Sequence, residues 1–305
     1  MNRREFIKKS IQAAAAAGAY TMLPASKLFG AVPDGKTPPH LVAVKNSTPA
    51  KMYAAALSAM GGISQFVRRG QTVVVKPNIG WDVTPELGGN TNPQLVEAVV
   101  KSCVDAGAKK VYVFDHTCDN WKKTYKTSGI EDAAKKAGAL VVSAASEADY
   151  INVKVPGGKT LKETKVHKLA AESDVFINVP VLKNHGSSGL TIAMKNLMGI
   201  VWNRWSWHAT GLHQCIADFA AYRKPDLNIV DCYRVMKANG PRGVSKEDVV
   251  LMKTLIMSKD MVAADAASAK IAGADPEDIE YIKLADAKGI GTMNLDSINI
   301  RRITL

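Results

Sequence analysis

Lysine, histidine and aspartate side chains directly follow apolar, strand-like runs at four places in this 305-residue sequence. Stability alone does not explain the pattern, because a lysine or carboxylate forced into an apolar interior costs several kcal/mol unless it is paired. Amines, imidazoles and carboxylates that converge can hold an anion, polarise a carbonyl group and transfer protons. The spacing therefore predicts one reactive site, with strand-end residues Lys76, Asp115, His116, Lys183, His185 and Asp231.

Four of these side chains are the candidate catalytic residues. Lys76 and Lys183 could hold an anion or polarise a carbonyl group. His116 and His185 could move protons, because imidazole titrates near neutral pH.

A Gly/Ser segment after Lys183 is the most informative stretch. Gly186–Gly189 precedes a pattern that predicts a helix over Leu190–Ile200, so its backbone N–H groups and the helix N-terminus could bind an anion. The alternative is a serine N-cap beside a flexible loop. The spacing is not that of a Walker A motif, so ATP binding is not supported. The candidate anion-binding residues are Asn78, Ser187, Ser188, Lys195 and Asn196.

The cofactor remains open at the level of sequence. Imidazole and carboxylate together suit a divalent transition metal, and the candidate ligands are Asp115, Asp231, His208 and His213. No local zinc-protease signature is present, so such a site would have to assemble from distant segments. The four cysteines, at positions 103, 118, 215 and 232, lack Cys-x-x-Cys spacing. No iron–sulfur cluster is therefore expected from the chain's own cysteines.

The elements that must position these residues are alternating strands and helices. Continuous Val/Ile runs separated by helical patterns predict an α/β fold with a mostly parallel, doubly wound sheet covered by helices on both faces. Ile151–Val155 and Thr160–Val166 flank Pro156-Gly157-Gly158, which predicts a small antiparallel hairpin insertion. In doubly wound sheets, ligands bind beyond the carboxyl ends of the strands. The strand-end residues are therefore expected to meet at that edge.

The N-terminus carries an export pattern. Arg3-Arg4, followed by Phe6-Ile7-Lys8, is typical of a twin-arginine signal, and a basic amphipathic first helix is the alternative. The apolar stretch Ile11–Leu23 is shorter than the ~20 residues that span a bilayer. We expect residues 1–31 to be a signal peptide, 32–40 a linker and 41–305 a single α/β domain.

This reading predicts a protein exported folded to the periplasm or beyond, with the twin-arginine translocase as a transient partner and no permanent membrane anchor. The formal net charge of +12 is dispersed along the chain. It indicates either a solvated basic surface or a positive site for a small anionic ligand. A nucleic acid is not expected as a partner outside the cytoplasm.

An ordered set of motifs resembles the domain-of-unknown-function family 362 over nearly all of residues 41–303. The motifs are Lys76-Pro77-Asn78, the loop to Pro93, Val113–Asp115, Pro180-x-x-Lys183-x-His185, Lys195-Asn196-Leu197-x-Gly199, Pro225-Asp226-Leu227-x-Ile229-Val230-Asp231 and Asn239-Gly240-Pro241-x-Gly243. The family is bacterial and archaeal, has no general assigned reaction, and includes members with a fused ferredoxin-type module. The unit at 72–107 is also similar to the lactate-racemase-type fold, without a matching nickel-ligand pattern.

Two functions fit these patterns. One is an enzyme that acts on a small anionic substrate at the Lys/His/Asp site, with metal dependence left open. The alternative is a non-catalytic anion-binding protein, or a maturation or accessory protein for an exported redox system. Both depend on the strand-end side chains converging on one pocket.

Overall fold

A ten-stranded sheet lies at the centre of the computed structural model, which describes residues 38–305. The predicted signal peptide and most of the predicted linker lie outside the described residues. The strands are β1 Leu41–Lys45, β2 Thr72–Pro77, β3 Lys110–Val113, β4 Leu140–Val141, β5 Tyr150–Lys154, β6 Glu163–His167, β7 Val175–Val179, β8 Val181–His185, β9 Gly189–Thr191, β10 Leu227–Met236, β11 Val249–Ser258 and β12 Ile300–Thr304. Along the sheet the strand order is β12-β1-β11-β10-β7-β2-β3-β4, with β8 paired to β10 and β9 paired to β8.

The parallel part of the sheet is formed by β10, β7, β2, β3 and β4. All five residues of β7 are buried, as expected for a strand with helices on both faces. The sheet becomes mixed on the other side, where β11 runs antiparallel to both β10 and β1, while β12 is parallel to β1. The predicted mostly parallel α/β sheet is confirmed, with an antiparallel portion added at one side.

Helices cover both faces of the sheet. The helices are α1 Pro49–Ala59, α2 Pro93–Asp105, α3 Trp121–Thr127, α4 Ile130–Lys136, α5 Lys168–Glu172, α6 Ala193–Asn196, α7 Ser206–Thr210, α8 Leu212–Phe219, α9 Met261–Ile271 and α10 Glu280–Ala287. Side chains of α1, α2 and α4 pack in one apolar core, and those of α8, α9 and α10 pack in the other. Within residues 38–305, no helix is long and apolar enough to cross a membrane. Short 3₁₀ helices span Ile63–Gln65, Pro85–Leu87, Glu147–Asp149, Leu197–Ile200, Lys246–Asp248, Pro276–Asp278 and Leu295–Ser297.

The predicted hairpin insertion is present as a separate two-stranded sheet. β5 and β6 pair antiparallel, with Tyr150 opposite His167 and Lys154 opposite Glu163. The backbone N–H of Val155 donates to the Lys162 carbonyl at 2.8 Å and closes the ladder at the end where the chain turns.

The segment after β7 differs from the sequence prediction. Leu190–Ile200 is not one helix: β8 and β9 form a hairpin, with Lys183 opposite Thr191, and only then does α6 begin. The Asp265 carboxylate fixes that start, because it accepts hydrogen bonds from the backbone N–H groups of Ala193 at 2.6 Å and Met194 at 3.1 Å. The Gly/Ser segment is therefore the turn of a hairpin. It does not precede a helix N-terminus, and the predicted backbone anion cradle is not formed.

Candidate functional site

A cavity of about 340 Å³ lies where β2, β3 and β8 end. Among residues 38–305, four basic side chains line it, against the single carboxylate of Asp115. The basic residues are Lys76, Lys183, Lys195 and Arg204. Sequence reasoning anticipated ten of the lining residues: Lys76, Asn78, Asp115, His116, Lys183, His185, Ser187, Lys195, Asn196 and His208.

A buried ion pair between adjacent strands forms the floor of the cavity. Lys76 Nζ lies 2.8 Å from Asp115 Oδ1, and the two side chains are 0% and 3% exposed. Lys76 Nζ also donates to the Pro77 carbonyl at 2.7 Å and to Asn196 Oδ1 at 3.0 Å. The other Asp115 oxygen accepts from the Ile79 N–H at 2.7 Å. Burial lowers the pKa of Lys76, and the Asp115 carboxylate opposes that decrease by stabilising the ammonium.

Gly199 packs directly against this ion pair. A Cβ atom at that position would lie 1.8 Å from Asp115 Oδ1 and 2.7 Å from Lys76 Nζ. These distances are far inside van der Waals contact, so the backbone at Gly199 can approach only because the residue has no side chain.

A line of asparagine amides fixes the orientation of Asn196. Its Oδ1 accepts from Lys76 Nζ and from Asn78 Nδ2, each at 3.0 Å. Its Nδ2 donates to Asn178 Oδ1 at 2.8 Å, and Asn178 Nδ2 donates to Asn228 Oδ1 at 3.0 Å. Sequence reasoning missed Asn178 and Asn228, although an asparagine within an otherwise apolar run was a usable signal.

Lys183 is buried without a carboxylate partner in residues 38–305. Its side chain is 2% exposed, and Nζ donates to Asn78 Oδ1 at 3.1 Å and to the Gly89 carbonyl at 2.5 Å. Burial lowers the pKa of Lys183 to about 7. Cys118 and Asp115 oppose that decrease, and the ammonium groups of Lys195 and Lys76 add to it. Near neutral pH, Lys183 is therefore divided between the amine and the ammonium form.

Lys195 lacks an oxygen acceptor within the described residues. It is 7% exposed, and its Nζ contacts the Met198 sulfur at 3.4 Å. Burial, with a smaller contribution from Arg204, lowers the pKa of Lys195 to about 8. A buried ammonium with unused donors can bind an oxyanion that enters the cavity.

His116 follows β3 and His185 ends β8, and their neutral rings carry the proton on different nitrogen atoms. His116 Nδ1 lies 3.0 Å from the Val201 carbonyl, which can only accept, so Nδ1 carries the proton and Nε2 has the free lone pair. His185 Nδ1 accepts from the Ser187 N–H at 3.2 Å, so the proton of its neutral ring is on Nε2. Burial lowers the pKa of His116, and burial with the nearby lysines lowers that of His185 to about 2. Both rings are therefore neutral near pH 7.

Sequence reasoning missed Arg204 and Cys118. Arg204 is 7% exposed and donates to the carbonyl oxygens of His116 and Thr117 and, at 3.3 Å, to Cys118 Sγ. An arginine between Trp202 and Trp205 in the sequence was the available signal. Cys118 is the exposed cysteine at the cavity, whereas the thiols of Cys103, Cys215 and Cys232 are free and buried.

Three predicted site residues do not line the cavity. Ser188 is buried and donates to the Leu190 carbonyl at 3.0 Å. Asp231 accepts from the N–H groups of Asn92 at 2.7 Å and Tyr233 at 2.9 Å, and burial raises its pKa to about 6. His213 lies against the ring of Tyr281.

The predicted metal ligands are therefore not brought together. The backbone already uses the carboxylate of Asp231, and His213 faces another part of the molecule. In the part of the chain from residue 38 onward, no group of three or more His, Cys, Asp or Glu side chains is placed to hold a metal ion.

A family model described as Domain of unknown function (DUF362) matches residues 73–270, more than half of the chain. The chain belongs to this family. The matched DUF362 range contains every residue of the cavity described above.

This DUF362 chain is similar to one curated protein and to two solved structures. The thylakoid-associated protein sll1697 of Synechocystis sp. is 27% identical over 248 residues, which cover 77% of this chain and 73% of that protein. The lactate racemase apoprotein of Thermoanaerobacterium thermosaccharolyticum superposes with a TM-score of 0.50 at 12% identity, over 79% of this chain. A Thermotoga maritima crystal structure gives 0.47 at 11% identity, over 73% of this chain. The aligned part is 58% of each of these two structures, and the racemase supports the α/β fold alone.

Substitution Gly199→Ala should break the ion pair at the cavity floor. The added methyl group would displace one partner and leave the other charge buried and unpaired. We therefore expect a loss of about 3–5 kcal/mol in the free energy of unfolding, measured by urea denaturation. Gly186→Ala is the matched control, since a Cβ there meets nothing within 4 Å, and it should change stability by no more than about 0.5 kcal/mol. If Gly199→Ala and Gly186→Ala changed the free energy of unfolding equally, the predicted clash with the ion pair would be refuted.

Substitution Lys183→Met should reveal the cost of burying an amine. The pKa of Lys183 is lower in the folded protein, about 7, than in the unfolded chain, about 10.4. The folded state is therefore penalised fully below pH 7, and the penalty disappears as pH rises toward 10.4. The stability of Lys183→Met relative to the wild type should be greatest at pH 6 and should fall steadily to pH 10. A difference that does not vary with pH would show that Lys183 is not desolvated.

Proposed function

We propose that this DUF362 protein is an enzyme that acts on a small anionic substrate in the cavity at the carboxyl edge of the sheet. The supporting observation is the balance of charge: within residues 38–305, three ammonium or guanidinium groups and the partly protonated Lys183 face the one carboxylate of Asp115. That carboxylate is already occupied by Lys76. The cavity therefore keeps an excess of positive charge for a ligand. Its volume of about 340 Å³ lies at the lower end of the range for small-molecule pockets, about 300–1,000 Å³.

Lys195 is the residue best suited to bind the anion. Its ammonium is buried and has no oxygen acceptor in residues 38–305. A carboxylate or phosphate oxygen would supply that acceptor, in a site where a charge-assisted hydrogen bond is strong. Arg204, which lines the same cavity, adds to the positive potential.

The neutral nitrogen groups favour an enzyme over a protein that only binds. An anion-binding or accessory protein needs the cations alone. This cavity also contains His116 with a free Nε2 lone pair and His185 with an Nε2–H group. A proton acceptor and a hydrogen-bond donor in one desolvated site can take up a proton and polarise a carbonyl group, which catalysis needs and anion binding alone does not.

We also propose that the protein reaches the periplasm or the exterior through the twin-arginine translocase, on the strength of Arg3-Arg4. Replacement of both arginines by lysine retains the charge and should abolish export. Cell fractionation of the full-length chain in a bacterium with an intact pathway provides the measurement. Export of the twin-lysine variant at the wild-type level would refute the proposal.

Removal of the Lys195 ammonium should weaken anion binding. We expect oxalate and phosphate to bind the wild type, and Lys195→Met to reduce their affinity at least about tenfold, the equivalent of ~1.4 kcal/mol in titration calorimetry. Lys101→Met is the matched control, because it removes the same charge from a side chain that is 67% exposed. It should leave affinity unchanged.

Alkylation of Cys118 gives an independent readout of the cavity potential. Iodoacetate is an anion and iodoacetamide is neutral, so the ratio of their rates at Cys118 should exceed the ratio for a free thiol in solution. Lys195→Met should lower that ratio and Lys101→Met should not. If neither oxalate nor phosphate binds, and the iodoacetate-to-iodoacetamide rate ratio at Cys118 equals that of a free thiol, the cavity is not an anion site.

A further inference from the structure

We propose that Lys183 is a nucleophile, and that it forms an imine with the carbonyl carbon of a short 2-oxo acid whose carboxylate is bound by Lys195. This inference rests on the proposed function, because the cavity must first bind the anion. It adds the substrate class and a covalent step to the site already described.

The hydrogen bonds of Lys183 match those of an amine better than those of an ammonium. A neutral amine has two N–H groups and one lone pair, whereas an ammonium has three N–H groups. Lys183 Nζ has two acceptors, Asn78 Oδ1 at 3.1 Å and the Gly89 carbonyl at 2.5 Å. Both are uncharged, and within residues 38–305 no group donates to Nζ. The two N–H groups are therefore used and the lone pair is left for a carbonyl carbon.

The other two lysines of the cavity have surroundings that suit different roles. Lys76 has a carboxylate at 2.8 Å and two further oxygen acceptors, so its nitrogen is held as an ammonium and has no lone pair. Lys195 has no oxygen acceptor among the residues that the structure describes, which suits a cation that binds an anionic ligand. Lys183 alone combines burial, two neutral acceptors and the absence of a carboxylate. Desolvation of this kind, beside other cations, is a recognised way to activate a lysine nucleophile.

The covalent step balances without a further reactant. The lone pair of Lys183 Nζ attacks the carbonyl carbon, so that a C–N bond forms and the C=O π bond breaks. Both hydrogens of the amine move to the oxygen, which leaves as one water molecule, and a C=N bond remains. No atom is oxidised or reduced. His116, with its unprotonated Nε2 in the same cavity, is suited to carry a proton from nitrogen to oxygen.

The size and charge of the cavity define the substrate class. A 2-oxo acid places a carboxylate beside a carbonyl group, which matches one unpaired ammonium and one amine in a single small space. The cavity volume of about 340 Å³ is sufficient for a short 2-oxo acid such as glyoxylate or pyruvate. A simple ketone of the same size would lack the group that Lys195 holds.

Reductive trapping tests the step. The full-length protein is incubated with pyruvate and sodium cyanoborohydride, whose hydride converts the imine to a stable secondary amine, and it is then digested and mapped by mass spectrometry. We expect one carboxyethyl group per chain, located on Lys183, and no such adduct in Lys183→Met. Lys195→Met should retain the site of modification and require at least about tenfold more pyruvate for half-maximal trapping. Acetone should react far more slowly than pyruvate.

The pH dependence separates Lys183 from ordinary lysines. The titratable and charged groups around it are Asp115, Cys118, Lys195, Lys76 and the neighbouring His185. Because the pKa of Lys183 is about 7, trapping should increase through pH 7 and level off above it. Exposed lysines, with pKa values near ~10.4, should react appreciably only at much higher pH.

The outcomes distinguish this inference from the proposed function. If oxalate binds but pyruvate gives no adduct, or the adduct lies on another lysine, the imine is refuted and the anion site stands. If neither oxalate nor pyruvate binds, both the imine and the proposed anion site are refuted. Mapping on the wild-type protein does not depend on the folding of any variant, so a poorly folded Lys183→Met would not obscure the result.

Discussion

The ion pair of Lys76 and Asp115 is the constraint on which the rest of the cavity depends. Two charges that are almost wholly removed from water are tolerable only if every remaining donor and acceptor is satisfied. Asn196 and the Ile79 backbone complete those bonds, and Gly199 allows the chain to close over them. Because the two residues lie at the ends of neighbouring parallel strands, the pair also joins the strands at the edge where the cavity opens.

Lys183 and Lys195 line the same cavity, but unlike Lys76 they are not paired with a carboxylate of the described chain. Neither has a carboxylate partner in residues 38–305, although both are more than nine-tenths buried. Replacement by an apolar residue of similar volume would remove the cost of desolvation, so packing does not explain why amines occupy these positions. Groups that lower stability in a cavity are characteristic of sites that bind or transform a ligand.

Much of the site could be predicted because parallel strands end at one edge of the sheet. That rule placed Lys76, Asp115 and Lys183 together. It was wrong for Asp231, since β10 continues to Met236 and the aspartate lies within the strand. The hairpin of β8 and β9 was missed because a short apolar run fits a strand or a helix equally well. Arg204 could not be predicted as a site residue because it lies in an irregular segment, where hydrophobic periodicity does not indicate which side chains face inward.

The chemistry proposed for the cavity requires its lysines to remain different from one another. An anion bound to Lys183 would favour the ammonium and remove the lone pair that attacks a carbonyl group. The neutral acceptors Asn78 and Gly89 avoid this, because they bind the N–H groups without adding negative charge. Asp115 would have the same effect as an anion, but its charge is compensated by Lys76. The buried ion pair thus does more than join two strands, since the Lys76 ammonium offsets the carboxylate charge that would otherwise stabilise the ammonium form of Lys183.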